Sequence, residues 1–151
     1  MISLSNLKIN MNNYDDVEKS LKSQTIRVCV VGIGRIGLPS ALSFAKSGLT
    51  TIGVDINESL VQKINDDNFP LEDEPGYEEI FHDVIKNKTF SATTKIEEGI
   101  TKSNLILLSL PTPMDENNIP DYSALANVAK QLSQLLQPNS LVIVESTVEP
   151  G

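Results

Sequence analysis

A GxGxxG turn set between an apolar run and an amphipathic stretch constrains this chain more than any other feature. Residues 26–31 (IRVCVV) are apolar at nearly every position, which predicts a fully buried strand. Gly32-Ile33-Gly34-Arg35-Ile36-Gly37 follows, and residues 35–46 read as a helix whose buried face holds Ile36, Ala41, Leu42, Phe44 and Ala45. In this setting Gly32 permits a tight turn, Gly34 lets the backbone approach a pyrophosphate, and Gly37 lets the helix pack closely. The free N–H groups and positive dipole end of the helix then face the phosphates.

The rest of the chain alternates apolar runs with amphipathic stretches, the pattern of a parallel sheet with crossover helices. Further strands are expected at 50–55, 90–93, 105–110 and 141–145. Helices are expected after Asn57, over 77–86, and from an Asp121 cap to residue 136. Residues 66–76 (DDNFPLEDEPG), rich in acids and holding Pro70 and Pro75, read as a solvated loop. The fold class is therefore α/β, a Rossmann-like doubly wound parallel sheet with helices on both faces. The domain runs over 26–151. Residues 1–25 form an N-terminal extension, with one short helix over 14–22.

Asp55 lies at the end of the second strand, roughly 20 residues past the turn, where a carboxylate accepts hydrogen bonds from the adenosine ribose hydroxyls. It repels a 2′-phosphate, and Ile56 and Asn57 bring no offsetting positive charge, so NAD is favoured over NADP. Arg35 either faces the pyrophosphate as a charge-assisted donor or lies in solvent.

Composition narrows the function. The net charge of −8 and the absence of a basic stripe exclude a phosphate-backbone partner, so no nucleic acid is expected. The one cysteine, Cys29, falls inside the first apolar run and reads as a buried structural thiol. The one histidine, His82, reads as a surface residue, and with this pair no metal site is expected. No apolar stretch approaches a membrane span, no signal peptide is evident, and a cytoplasmic location is the default reading. A self-contained short-chain reductase fails for want of a Tyr-x-x-x-Lys pair: Tyr14, Tyr77 and Tyr122 are followed four places on by Glu18, Phe81 and Ala126.

Residues outside the turn carry a more specific resemblance. VVGIGRIGLPSALSFAKSG followed by IGVDIN resembles the opening of the nucleotide-sugar 6-dehydrogenases that act on UDP-glucose and UDP-N-acetylmannosamine. So do Glu74-Pro75-Gly76 ahead of a helix, Ser109-Leu110-Pro111-Thr112-Pro113 after the fourth strand, and Glu145-Ser146-Thr147-Val148-Glu149-Pro150-Gly151 after the last. These segments come in the family's order and span 26–151. The chain departs from the pattern at Arg35, where the family often has an aromatic residue. It departs also at Leu60, where some members carry an arginine, and at Tyr77, a usual leucine.

The resemblance implies NAD as cofactor. It places Thr112 beside it, with Leu110, Pro111 and Pro113 shaping the loop wall, and brings Ser146 and Thr147 to the nicotinamide side. Thr147 is then an auxiliary hydroxyl near the reacting centre, though capping or turn roles for both hydroxyls stay open. The Pro111-Thr112-Pro113 and Glu145-Ser146-Thr147 forms are closer to the UDP-N-acetylhexosamine branch than to the UDP-glucose branch. The family's nucleophilic cysteine, its lysine and asparagine, and its sugar-binding domain all lie beyond residue 151. The end at Gly151 therefore reads as a truncation. The chain is expected to bind NAD without turnover, and to meet a UDP-sugar only if the missing domain is supplied. A free-standing NAD-sensing regulatory module shares the turn, the acid and the length, but leaves Pro111-Thr112-Pro113 and Ser146-Thr147 without a reason.

Overall fold

The computed structural model describes residues 9–148. Five strands form one parallel sheet: β1 (Arg27–Val31), β2 (Thr50–Val54), β3 (Phe90–Thr93), β4 (Leu105–Leu108) and β5 (Leu141–Val144), in the order β3-β2-β1-β4-β5. Helices α1 (Tyr14–Lys22), α2 (Gly37–Lys46), α3 (Glu58–Asn65), α4 (Glu78–Lys86), α5 (Ile96–Ile100) and α6 (Ser123–Leu135) complete the described chain.

The period-two alternation of β1 divides the core between two faces. Val28 and Val30 point to one side, where Leu38, Leu42, Ile64 and Phe81 from α2, α3 and α4 cover them. Cys29 and Val31 point to the other, against Ile100 of α5 and Val128 and Leu132 of α6. This is the doubly wound arrangement that the continuous apolar strands predict. Gly99 sits where α5 crosses the sheet. A Cβ there would lie 2.5 Å from Val54 Cγ2 and 2.8 Å from Cys29 Sγ, so only glycine lets the helix come this close. At the opposite end of β1, the buried Asn104 Oδ1 accepts the Arg27 N–H (3.1 Å), extending the ladder one step past the strand.

Several expectations shift on contact with the structure. The first helix of the domain begins at Gly37, and Ile36 is 66% exposed rather than part of its buried face. The fourth strand ends at Leu108, leaving Ser109 and Leu110 to the loop beyond it. Helix α6 begins at Ser123, and the Asp121 carboxylate caps it from outside by accepting the Ser123 N–H (2.8 Å), which holds that carboxyl below its usual range. The acid-rich 66–76 segment is not wholly solvated, because Phe69 is buried against Phe81 with ring centroids 5.5 Å apart. The extension is more than an appendage. Met11 is buried and donates its N–H to Asn139 O (3.0 Å), and Ile9 and Val17 pack on the main core. Residues 1–8 of it, and Glu149-Pro150-Gly151 of the last motif, lie outside the described residues. Helix α5 was not anticipated at all: five residues make too little periodic signal.

Phe81 is the largest fully buried side chain. Phe81→Ala is expected to lower unfolding free energy by about 3–5 kcal/mol, read by urea denaturation, because the cavity cannot collapse between two packed helices and the sheet. A loss under about 1 kcal/mol would contradict this packing.

Candidate functional site

The connections that leave β1 and β4 run to opposite faces of the sheet, and there a cleft of about 1210 Å³ opens at the strands' carboxyl ends. Its floor is the glycine turn. Gly32 adopts φ +86°, a region that costs an L residue strain, and a Cβ on it would collide with the Ser109 carbonyl oxygen. A Cβ on Gly37 would collide with the Gly32 carbonyl, so the close approach that Gly37 permits is to the turn itself. Gly34 differs: a Cβ there meets nothing within 4 Å and would project into open space. Helix α2 starts just beyond, with no side-chain cap at Ile36 and no acid in its first turn. Of its first-turn amides the Leu38 N–H is spent on Gly34 O (3.0 Å) and Pro39 has none, so the Gly37 N–H and the positive dipole end are what the helix offers an anion.

Asp55 is held in place by its own backbone contacts. Its Oδ2 accepts the Ile33 N–H (3.0 Å) and its Oδ1 accepts the Asn57 N–H (3.0 Å), while its N–H donates to Thr93 O (3.2 Å). The carboxylate is therefore fixed between the turn and the head of α3, where Asn57 caps the helix through the Leu60 N–H (3.1 Å). Each oxygen keeps a further lone pair for an incoming hydroxyl. Ile56 beside it is 94% exposed.

The opposite wall comes from the loops after β4 and β5. Ser109 N–H continues the β1 ladder to Val31 O (2.8 Å). Ser146 bridges the two loops: its hydroxyl accepts the Leu110 N–H (2.9 Å) and donates to Leu108 O (3.4 Å). Glu145 accepts a hydrogen bond from Ser40 Oγ of α2 (3.1 Å), tying the end of β5 to the far side of the turn. Thr112 is half-buried and Thr147 exposed, both on the wall of the cleft.

Of the residues expected at a site, the structure gathers Gly32, Gly34, Arg35, Ile36, Gly37, Asp55, Leu110, Pro111, Thr112, Ser146 and Thr147 around this cleft. Ile33 and Pro113 stand apart from its lining. Ile33 is fully buried and reaches the site only through the N–H it gives Asp55, and the exposed Pro113 accepts the Asp121 N–H (2.7 Å). Arg35 resolves into a third arrangement, neither idle nor free, with ion pairs to Asp73 (3.2 Å) and Glu74 (3.8 Å). Sequence reasoning missed Asn127, Lys130 and Gln131 of α6, which line the cleft, because polar positions at helical spacing look like any solvated face. Cys29 is fully buried, and burial pushes its thiol up to about 12, which favours the thiol over the reactive thiolate. His82 pairs with Asp67 at the surface (2.8 Å). Among the described residues no group of three or more His, Cys, Asp or Glu is placed to hold a metal, and no helix is long and apolar enough to cross a membrane.

Open parallel sheets bind ligands at such a switch point, and the glycine turn with its fixed acid makes this one a Rossmann-type dinucleotide-binding domain. Comparison with known proteins narrows the class. Residues 26–151 match the NAD binding domain of the UDP-glucose/GDP-mannose dehydrogenase family. The chain belongs to that family, and NAD is the cofactor of the domain it matches.

Among its relatives, the UDP-N-acetyl-D-mannosamine dehydrogenase of Campylobacter jejuni is 35% identical over 130 residues, covering 85% of this chain and 31% of that enzyme. The solved UDP-N-acetyl-mannosamine dehydrogenase of Staphylococcus aureus superposes with a TM-score of 0.75 at 31% identity, over 82% of this chain and 29% of that one. The GDP-mannose dehydrogenase of Pseudomonas aeruginosa, solved as a ternary complex, gives a TM-score of 0.77 at 26% identity, over 83% and 29%. The chain thus spans under a third of the length of these relatives.

The contrast between two glycines is testable without any ligand. Gly32→Ala is expected to cost about 1–3 kcal/mol of stability through strain alone, with the collision at Ser109 adding to it. Gly34→Ala, whose methyl group enters open space, is expected to stay within about 1 kcal/mol of wild type, the helix-start preference for alanine over glycine being small. Equal losses in thermal unfolding would contradict the geometry of the turn.

Proposed function

We propose that this chain is the cofactor-binding part of an NAD-dependent UDP-sugar 6-dehydrogenase of the UDP-N-acetylhexosamine branch. One observation carries the reading: Asp55 is fixed to the N–H of Ile33 within the glycine turn, so the ribose acceptor and the phosphate cradle are a single rigid unit. The mannosamine-type names of the relatives support the branch, as do Pro111-Thr112-Pro113 and Ser146-Thr147.

In this reading Asp55 accepts the hydrogen bonds of the adenosine ribose hydroxyls and excludes a 2′-phosphate by charge. Gly32 and Gly37 shape the turn, Gly34 leaves the space into which the pyrophosphate comes, and the Gly37 N–H with the positive end of α2 faces it. Leu110, Pro111 and Thr112 hold the cofactor's far half against the sheet. Ser146 acts as a brace between the two loops, and Thr147 is left as the hydroxyl nearest the reacting centre. NAD, when bound, would supply the hydride acceptor: two hydrides, one to each of two successive cofactors, would leave the sugar C6 as the alcohol is oxidised to the carboxylate, water supplying the added oxygen. This chain's share is to bind and orient. The nucleophile and the sugar site that complete the reaction belong to the family's further domain, and residues 1–151 by themselves hold NAD without turnover.

The test is calorimetric titration of the chain with NAD and NADP. Asp55→Ala is expected to weaken NAD roughly 10–100-fold, since hydrogen bonds to a charged acceptor contribute more than neutral ones. NADP is expected to bind far more weakly than NAD to the wild type and to lose that handicap in the variant. NADP binding as tight as NAD to the wild type would sink the assignment of Asp55, and uronate formation by the chain alone would sink the division of labour.

A further inference from the structure

The Arg35 guanidinium has two claims on it. It lies in the glycine turn, next to Gly34, and lines the cleft, yet its Nη2 is 3.2 Å from Asp73 Oδ2 and its Nη1 3.8 Å from Glu74 Oε1. Both acids come from the irregular segment ahead of α4. That segment is anchored rather than loose: Phe69 is buried beneath it, the Glu74 N–H donates to Leu71 O (2.9 Å), and Glu72 pairs with Lys63 of α3 (3.3 Å). The backbone that carries the acids is thus held beside Arg35 by the burial of Phe69 and the packing of Leu71 on the core, contacts that do not involve Arg35.

The cleft itself is poor in positive charge. Among the described residues that line it only Arg35 and Lys130 are basic, set against Asp55 and Glu145. A diphosphate arriving over Gly34 gains from a cation beside the turn amides, and a guanidinium fork is well suited to phosphate oxygens. The pair that occupies it is weak, because its side chains are 67% and 83% exposed for Arg35 and Asp73.

We propose that the Asp73–Glu74 segment competes with the cofactor's pyrophosphate for Arg35, so that the loop sets the affinity of the cleft for dinucleotide. This rests on the NAD reading above. Without cofactor, Arg35 is parked on the two acids. On binding it turns to the phosphates, and the two carboxylates are left to solvent. The acids lower affinity, and Arg35 is the sole route by which they do so.

A double-mutant cycle read by NAD titration tests this. Asp73→Asn with Glu74→Gln is expected to bind NAD about two- to fivefold tighter than wild type, the range of an exposed ion pair. Arg35→Met is expected to bind about fivefold or more weakly, and adding the two acid substitutions to it is expected to change nothing further. Asp73 is exposed and Glu74 half-buried, and thermal unfolding of each variant verifies that the fold is kept. Unchanged or weaker NAD binding by the acid variant overturns the competition. So does an equal gain in the Arg35→Met background, which would reveal only the general field of two removed charges. Absence of NAD binding by every variant and by the folded wild type would instead overturn the NAD reading, and this proposal with it.

Discussion

The hydrogen bond from the Ile33 N–H to Asp55 Oδ2 joins the two parts of the fold on which everything else at the site depends. It runs from the turn after β1 to the end of β2, and it can form only because the two strands are parallel neighbours in register, with Val31 opposite Val54. Gly32 donating its N–H to Val54 O (2.8 Å) draws the turn tight against the same strand end. A carboxylate that takes backbone donors from both sides has its position set by the main chain rather than by rotamer choice. The site is in this sense part of the sheet, and it forms when the sheet forms.

The order of strands then decides where a ligand goes. Helices α2, α3 and α4 cover one face, α5 and α6 the other, and the chain changes face between β1 and β4. No connecting helix fills the gap at that point, so the strand ends are left open. Close contacts on either side keep the gap narrow: the turn abuts the Ser109 carbonyl, and Ser146 ties the loop after β4 to the end of β5. Ser40 and Glu145 join the far ends of the same rim. The cleft is rigid on its glycine side and braced by side chains on its loop side, which suits a domain whose task is to orient a cofactor.

Much of this was legible in the residues. Continuous apolar runs revealed the parallel strands, buried at β1 and β4 though exposed at the edge strand β5, and the glycine spacing with Asp55 located the turn and its acid, because backbone geometry leaves few alternatives there. Ser146 and Thr112 were legible only through family resemblance. What escaped was whatever depends on tertiary contact. Ile36 looked buried by spacing, yet it precedes the helix and faces the cleft. Helix α5 is too short to show a period, and its role is visible only in how Gly99 fits against Cys29. Phe69 lay hidden in an acidic segment whose composition suggests solvent. The partners of Arg35 are far from it in sequence, and no local pattern links a turn arginine to Asp73 and Glu74.

The proposed NAD site is one cleft, between β1 and β4, with the turn and Asp55 as its contacts. Backbone amide shifts of the isotope-labelled chain, followed as NAD is added, test it most directly. NAD in this cleft gives saturable shifts at Gly34 to Gly37, at Asp55 to Asn57 and at Thr112, with the face covered by α4 silent. Shifts centred elsewhere on the sheet, or none in a folded chain at saturating NAD, would contradict it.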